Sequence, residues 1–331
     1  MPRSYKDFAR PSYREDRWLE TQWFTAWTEA GMRLHFWAGF RTNLDVATSK
    51  VFAVSEVAQS ILDMDYCDQQ YHMPMGSARL SRFTLWSGLT VEAHPAPREW
   101  TLRYRSPCGR LTADLEVTAM MEPVDLSWTA IEGAGKGFVG FHHTGDRGRL
   151  ETRTGDEPVG HVDQTIKVVG EVTIDGERQA VDCVAQHDHS WSPRAEYRHS
   201  PGNFDMFHFG DELTLLSQTR QEADGSAVVT HAYVLAGKEV RKVRDISVRY
   251  HRSGFRIVRV EYDVTDETGE QYRITGEQRS GFEIDMGPNT YISFDQFTCS
   301  WAGRTGLGET QWHHEIMALQ GQRRRDRLAG R

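Results

Sequence analysis

"GHVDQTIKVVGEVTIDGERQAVDCVAQHDHSWSPR", residues Gly160 to Arg194, decides how this chain folds. Its first part, "QTIKVVGEVTI", is β-branched and runs into Asp175-Gly176. An Asp-Gly pair after such a run predicts a strand ending in a tight hairpin turn. Beyond the turn, "AQHDHSW" (Ala185 to Trp191) carries two histidines, an aspartate, a serine and a tryptophan. Packing alone rarely asks for that density of hydrogen-bonding side chains.

Outward from this segment, strand signals dominate. "TLRYRS", "LTADLEVTAM", "AVVTHAYVLAG", "ISVRYH", "FRIVRVEYDVT" and "YRITGEQ" are short, β-branched or aromatic, and often alternate in polarity. Asp224-Gly225 and Gly269-Glu270 punctuate them at hairpin spacing. Helical signal is thin, with one short helix expected within Val54 to Tyr66. The pattern predicts an all-β, mainly antiparallel chain, as sandwich or barrel. "EWTLRYRSPCGRLTADLEVTAM" and "RIVRVEYDVTDETGEQYRITGEQ" both run strand, Gly turn, strand, in the two halves of the chain. That repetition suggests a doubled β unit. The turn-rich stretch from Gly145 to Gly160 places the expected seam, giving domains over residues 1–155 and 156–331.

Composition narrows the function classes. A net charge of −8 over 331 residues supplies no basic field to attract phosphates, which argues against nucleic acid. "QRRRDR" (Gln322 to Arg327) reads as a solvated terminus. Ten tryptophans suit a large apolar core or a pocket for a greasy ligand. The four cysteines, Cys67, Cys108, Cys183 and Cys299, show no C-x-x-C pair, so a zinc ribbon or redox motif is not expected. With no signal-peptide-like opening and no membrane-spanning apolar run, a cytoplasmic chain without stable membrane insertion is expected. Homo-oligomerisation stays open.

Three chemistries compete for the central motif. On a strand His187 and His189 share a face, as two ligands of one metal would need. Pro193 and Arg194 stand where a cupin-like carboxylate would follow, and a guanidinium repels a cation. The adjacent pairs His142-His143 and His313-His314 diverge on a strand. "GAGKGFVG" (Gly133 to Gly140) has the wrong spacing for a phosphate loop, and Ser190 lacks a nucleophile-elbow setting. Proton transfer remains: Asp188 lies between two imidazoles, with Trp191 and Arg194 nearby. A carboxyl buried among aromatics can stay protonated and act as a general acid. An Asp188–Arg194 ion pair bracing a loop, with Trp191 as core, fits the residues equally well.

The same segment resembles the carotenoid 1,2-hydratase (hydroxyneurosporene synthase)-like superfamily, which includes kievitone hydratase and fungal Diels–Alderase relatives. The matching positions are His161, Gln164, Gly170, Asp175-Gly176, Asp188, Ser190, Trp191 and Arg194. "ETQWFTAWTEAGMRLHFWAGFRTN" (Glu20 to Asn43) is similar to its opening strands, and "GRTGLGETQW" (Gly303 to Trp312) to its closing strand. The resemblance implies two tandem lipocalin-like antiparallel β-barrels packed side by side, with a ligand site near their junction. It also implies a lyase or isomerase of hydratase or dehydratase type, without a cofactor, acting on a hydrophobic small molecule. Carried over, Asp188 is the general acid, and His161, Gln164 and His189 position water or substrate. Trp191, Arg194, His187, Trp37, His35 and Phe207 are the expected substrate contacts. The chain departs from the pattern at His187, where relatives often have arginine, and at "SWSP" in place of "SWG". A non-catalytic lipocalin-like binding protein is the second reading, and a metal-dependent enzyme using His187 and His189 the third.

Overall fold

Short alternating runs separated by turn residues can bury one face only by pairing laterally, and the chain does so almost throughout. The computed structural model describes residues 18–134, 160–193, 201–222, 226–287 and 289–328. Its first part holds β1 (Trp18–Trp27), β2 (Arg33–Arg41), β3 (Val46–Val54), β4 (Tyr66–Pro74) and β5 (Arg82–Thr84). Then follow β6 (Leu89–Ala93), β7 (Glu99–Arg105), β8 (Leu111–Ala119), β9 (Val124–Asp125), β10 (Gly160–Ile174) and β11 (Glu177–Pro193). These eleven strands form one sheet in the order β4-β3-β2-β1-β11-β10-β8-β7-β6-β5, with β9 on β10. The remaining eight strands close an antiparallel barrel. They are β12 (Gly202–Phe209), β13 (Leu213–Gln221), β14 (Ala227–Ala236), β15 (Glu239–Ser253), β16 (Arg256–Asp266), β17 (Gln271–Gly287), β18 (Thr290–Trp301) and β19 (Arg304–Glu315).

The tandem all-β architecture expected from the sequence is thus present, as a curled half-barrel beside a closed barrel. The hairpin predicted at Asp175-Gly176 joins β10 to β11. Both turn residues have positive φ, 47° and 87°, as a type I′ turn demands. The two strand–turn–strand repeats are the hairpins β7–β8 and β16–β17. By sheet membership the chain divides after β11, because β11 pairs with β1 and β10 with β8. The expected 155/156 seam lies outside the described residues, and the two strands that follow it complete the first sheet. Long strands carry that pairing across the seam.

Helix is scarce. A 3-10 turn, Ile61–Asp63, sits within the one segment expected to be helical and is capped reciprocally by Ser60 and Asp63. α1 (Leu126–Thr129) is short, and α2 (Ile316–Leu328) contains the basic run. Its Arg324 and Arg325 are solvated as expected, while Arg323 lies 4.3 Å over the ring of Phe255. No helix among the described residues is long and apolar enough to cross a membrane.

Three apolar clusters follow from the alternation. One fills the curl of the first sheet around Phe24, Phe36, Trp100 and Trp191. Another fills the closed barrel around Phe207, Tyr262 and Phe297. The third joins the two, with Trp23, Phe52 and Val54 of the first sheet against Phe204, Met206, Phe282 and Phe294 of the barrel. The junction is therefore largely packed, and polar groups within it stand out.

Candidate functional site

Strand parity sorts the central motif into two faces. β11 pairs without interruption with β1 on one side and β10 on the other. Asp188 stands opposite Asp163 and Trp23, Trp23 opposite Trp37, and Trp37 opposite Lys50. Directly opposed residues share a face, so these five form one row across β10, β11, β1, β2 and β3. Trp23 belongs to the junction cluster, which fixes this row as the face turned toward the barrel. His187, His189, Gln164 and Trp191 have the opposite parity and point into the curl of the first sheet.

At the head of the row, three titratable groups meet. His161 Nε2 lies 2.9 Å from Asp188 Oδ2 and 3.2 Å from Asp163 Oδ1. Gln186 donates to Asp163 at 3.5 Å, and Tyr233 of the barrel shares a 2.9 Å hydrogen bond with Thr165. Burial alone would push the His161 imidazole down, but the charges and hydrogen bonds of Asp188 and Asp163 overcome it and raise its pKa to about 10. Burial pushes the Asp163 carboxyl up against the pull of His161. The nearby His231 is lowered to about 4, first by burial and then by the His161 charge. The Asp188 side chain is 12% exposed and that of Asp163 only 1%, so Asp188 is the more accessible carboxyl. Aromatic faces frame the site. Phe204 lies 6.0 Å from Trp23 and 6.2 Å from His161.

The far end of the row is cationic. Lys50 is buried, donates to the Met286 carbonyl, and lies 5.6 Å over Trp37 and 5.0 Å over Tyr71. Burial lowers its pKa to about 8, against Asp285. Trp37 lies flat across Gly39, where a Cβ would come within 2.3 Å of the indole. Gly39→Ala is accordingly expected to lift the Trp37 ring and destabilise by about 1–3 kcal/mol, as overpacking does. Tryptophan fluorescence and urea denaturation check it, and an unshifted spectrum would count against the close approach.

Sequence reasoning named His161 and Asp188, which the structure brings together, and Trp37 and His35 on the same face. His35 stacks on Trp23 at 5.5 Å and binds Glu309 at 3.0 Å. Other expected residues stand elsewhere. Gln164 donates to the Met121 carbonyl at 2.9 Å and lies 3.3 Å from His187. His187 stacks on Phe24 at 4.3 Å with Trp100 tilted against it at 5.3 Å, and burial lowers its pKa to about 3, helped by His189. His189 Nδ1 donates to the Thr21 carbonyl at 2.8 Å and stacks on Trp191. Phe207 is buried inside the closed barrel against Tyr262. The motif and the resemblance grouped these residues with Asp188 without regard to strand parity, and alternation separates them. Arg194 lies outside the described residues. Asp163, Trp23, Phe204 and Lys50 were missed. Asp163 was legible, since it is two residues from His161 and so shares its face.

His187 and His189 do share a face, as the metal reading required, but no carboxylate joins them among the described residues. The one group of His, Asp, Glu and Cys side chains there that could hold a cation is His161, Asp163 and Asp188, with ligand atoms within 4.8 Å of one another.

The raised His161 pKa makes a signed prediction. A group whose folded pKa (about 10) exceeds its unfolded value (6.5) adds stability that is fully present below pH 6.5 and disappears as pH rises through 10. Denaturation midpoints should therefore fall between pH 7 and 10, and His161→Gln should flatten that slope. An unchanged slope would show the imidazole to be neutral.

Comparison with known proteins fits this architecture. A family model described as "Domain of unknown function (DUF7064)" matches residues 6–316. No curated protein sequence matches the chain. Among solved structures, a protein provisionally assigned as AttH from Nitrosomonas europaea is similar with a TM-score of 0.57 at 16% identity, covering 89% of this chain and 91% of that one. CghA, solved with Sch210972, is similar with a TM-score of 0.52 at 12% identity, over 94% of each chain. Kievitone hydratase from Nectria haematococca gives 0.50 at 12% identity, over 93% of this chain and 96% of that one. At such identities the likeness establishes the fold, and it is the fold that the resemblance to the carotenoid hydratase-like superfamily implied.

Proposed function

We propose, for a chain that belongs to the DUF7064 family, an enzyme that moves a proton to or from a carbon–carbon double bond of a hydrophobic small molecule. The reaction type is a hydratase, dehydratase or isomerase. The observation that carries this reading is the buried imidazole held between two carboxylates beside an aromatic wall. Asp188, the more accessible carboxyl, takes the proton of the His161 imidazolium across their hydrogen bond and delivers it to the alkene, returning to the carboxylate. His161 and Asp163 are positioning residues that hold its orientation and supply the proton reserve. The cation that develops is faced by Trp23 and Phe204, and it is discharged by capture of water or by loss of a neighbouring C–H proton, the released proton returning to the carboxylate–imidazole unit. Trp191, expected as a substrate contact, has the opposite strand parity. Three strand spacings separate Asp188 from Lys50, about 14 Å, so the row suits an elongated apolar guest with a polar oxygen at its far end. One similar structure, kievitone hydratase, is named for a hydration.

Incubation in D2O tests the proposal. Candidate isoprenoids, polyketides and aromatic alkenes are offered, and the recovered molecule is analysed by mass spectrometry for deuterium on carbon. Incorporation supports proton transfer; saturable binding with no incorporation supports the non-catalytic binding protein instead. A metal-dependent reading now rests on His161, Asp163 and Asp188 rather than on His187 and His189. The distances of 2.9 and 3.2 Å are those of hydrogen bonds. Elemental analysis finding about one metal per chain would replace the proton by a cation.

A further inference from the structure

The closed barrel is apolar at one end of its interior and polar at the other. Phe207, Phe209, Leu213 and Val264 fill the first end. Toward the start of β12 the inward residues become Asn203 and Asp205. Asp205 is fully buried, and its Oδ2 accepts the hydroxyls of Tyr250 and Tyr262, the latter also bonded to Ser217 at 2.8 Å. Its Oδ1 is left short of partners, as are Thr310 Oγ1 and Trp312 Nε1 among the described residues, while the Asn203 amide supports the Asp205 carboxylate and keeps a second N–H to offer. Register places Thr310 opposite Asp205 and Trp312 opposite Asn203, so the four face the same end of the interior. All are more than nine-tenths buried: Asp205 and Thr310 0% exposed, Asn203 2%, Trp312 6%. The half-buried Arg252 stacks 3.2 Å over Trp312, and its Nη1 is likewise unpartnered.

Folds rarely leave one such group unsatisfied, and several converging on one space describe the complement of a ligand. An eight-stranded barrel is wide enough either to be filled by side chains or to hold one small ligand, and polar groups left short of partners at one end favour the second. The donors are an amide, an indole N–H and a guanidinium, which together suit a carboxylate. The one pure acceptor, Asp205 Oδ1, suits a hydroxyl donor, and Thr310 can serve either partner. Trp312 and Phe255, with ring centroids 6.5 Å apart and planes tilted by 48°, give this end an aromatic rim. From this arrangement we infer that the polar end of the closed barrel is a second binding site, specific for a small aromatic hydroxy acid. Burial raises Asp205 to about 7, which lessens its repulsion of an anion held by Arg252. The site is separate from the Asp188 cluster, because Phe204 and Met206 of the same strand point the other way, into the junction. It does not depend on the proposed reaction.

Salicylate, benzoate and phenol are the probes, titrated against the full chain by calorimetry and tryptophan fluorescence. Salicylate should bind at one saturable site, with benzoate, which lacks the hydroxyl, about tenfold weaker. Arg252→Met should weaken salicylate at least tenfold, and Asp205→Asn should erase the preference over benzoate. Asp188→Asn should change neither. No saturable binding, equal binding in Arg252→Met, or an intact preference in Asp205→Asn overturns the site. If those variants fail to fold, a salicylate-soaked crystal of the unaltered protein decides. Density between Arg252 and Asp205 supports the site, and ordered water on all four buried atoms overturns it.

Discussion

Asp188→Asn should lower proton transfer by about 10²–10⁴-fold, the range removed with a general acid, while the two sheets stay folded. Asparagine has nearly the shape of the acid, and its oxygen can still accept from His161 Nε2, so the loss is of the carboxylate that passes the His161 proton on. The same change removes one of two negative charges that hold the imidazole protonated. His161 should then titrate below its present value of about 10, and the alkaline limb of stability should move to lower pH with it. Asp163→Asn separates the roles. It removes the other charge from a residue that is essentially inaccessible, so it should shift the pH profile more than it lowers the limiting rate. Deuterium incorporation measured across pH distinguishes the two. Wild-type incorporation in Asp188→Asn would remove the acid assignment, whereas parallel loss in both variants would make the three groups one inseparable unit.

How far this site was legible depends on parity. The hairpin at Asp175-Gly176 and the alternation of the flanking runs were sufficient to expect β10 and β11, since turn type and period are local properties. Alternation also carries the pairing of His161 with Asp163. What the sequence does not carry is which strand lies beside which. Trp23 and Trp37 join Asp188 only because β11 returns to pair with β1, more than a hundred and fifty residues away in sequence (Trp23 opposite Asp188). That long-range register is set by burial on both faces rather than by a motif. Sheet membership escapes the sequence for the same reason. Turn-rich composition marks a loop, and it does not reveal that the next two strands go back to the first sheet. His187 and Trp191 drew attention as neighbours of Asp188, but period-two geometry sends them into the opposite core, where Phe24 and Trp100 bury the imidazole and burial favours its neutral form.

Glu309→Ala should destabilise the protein by about 3–5 kcal/mol, the loss typical of breaking a buried ion pair from one side. Glu309 is fully buried at the junction and receives Arg33 Nε at 3.0 Å, His35 Nε2 at 3.0 Å, Gln296 at 3.0 Å and Gln311 at 2.8 Å. Arg33 is also fully buried and lies 4.6 Å over Trp27, so without Glu309 its charge has no carboxylate to answer it. Burial pushes the Glu309 carboxyl up, but Arg33 and His35 outweigh it and hold its pKa far below the ordinary range. A depressed folded pKa contributes stability above the unfolded value of 4.5 and surrenders it only as pH falls toward the folded one. The pair should therefore survive mild acid. Arg33→Met combined with Glu309→Leu tests the mechanism, because removing both charges should restore much of what either single change loses. Urea denaturation gives the magnitudes; a loss under 1 kcal/mol for Glu309→Ala would mean that water reaches Arg33. Arg33 and His35 belong to β2 and Glu309 to β19, so the same change also loosens one sheet from the other. His35 stacks on Trp23, the residue opposite Asp188, and through that contact the junction's stability and the order of the candidate acid site are bound to one carboxylate.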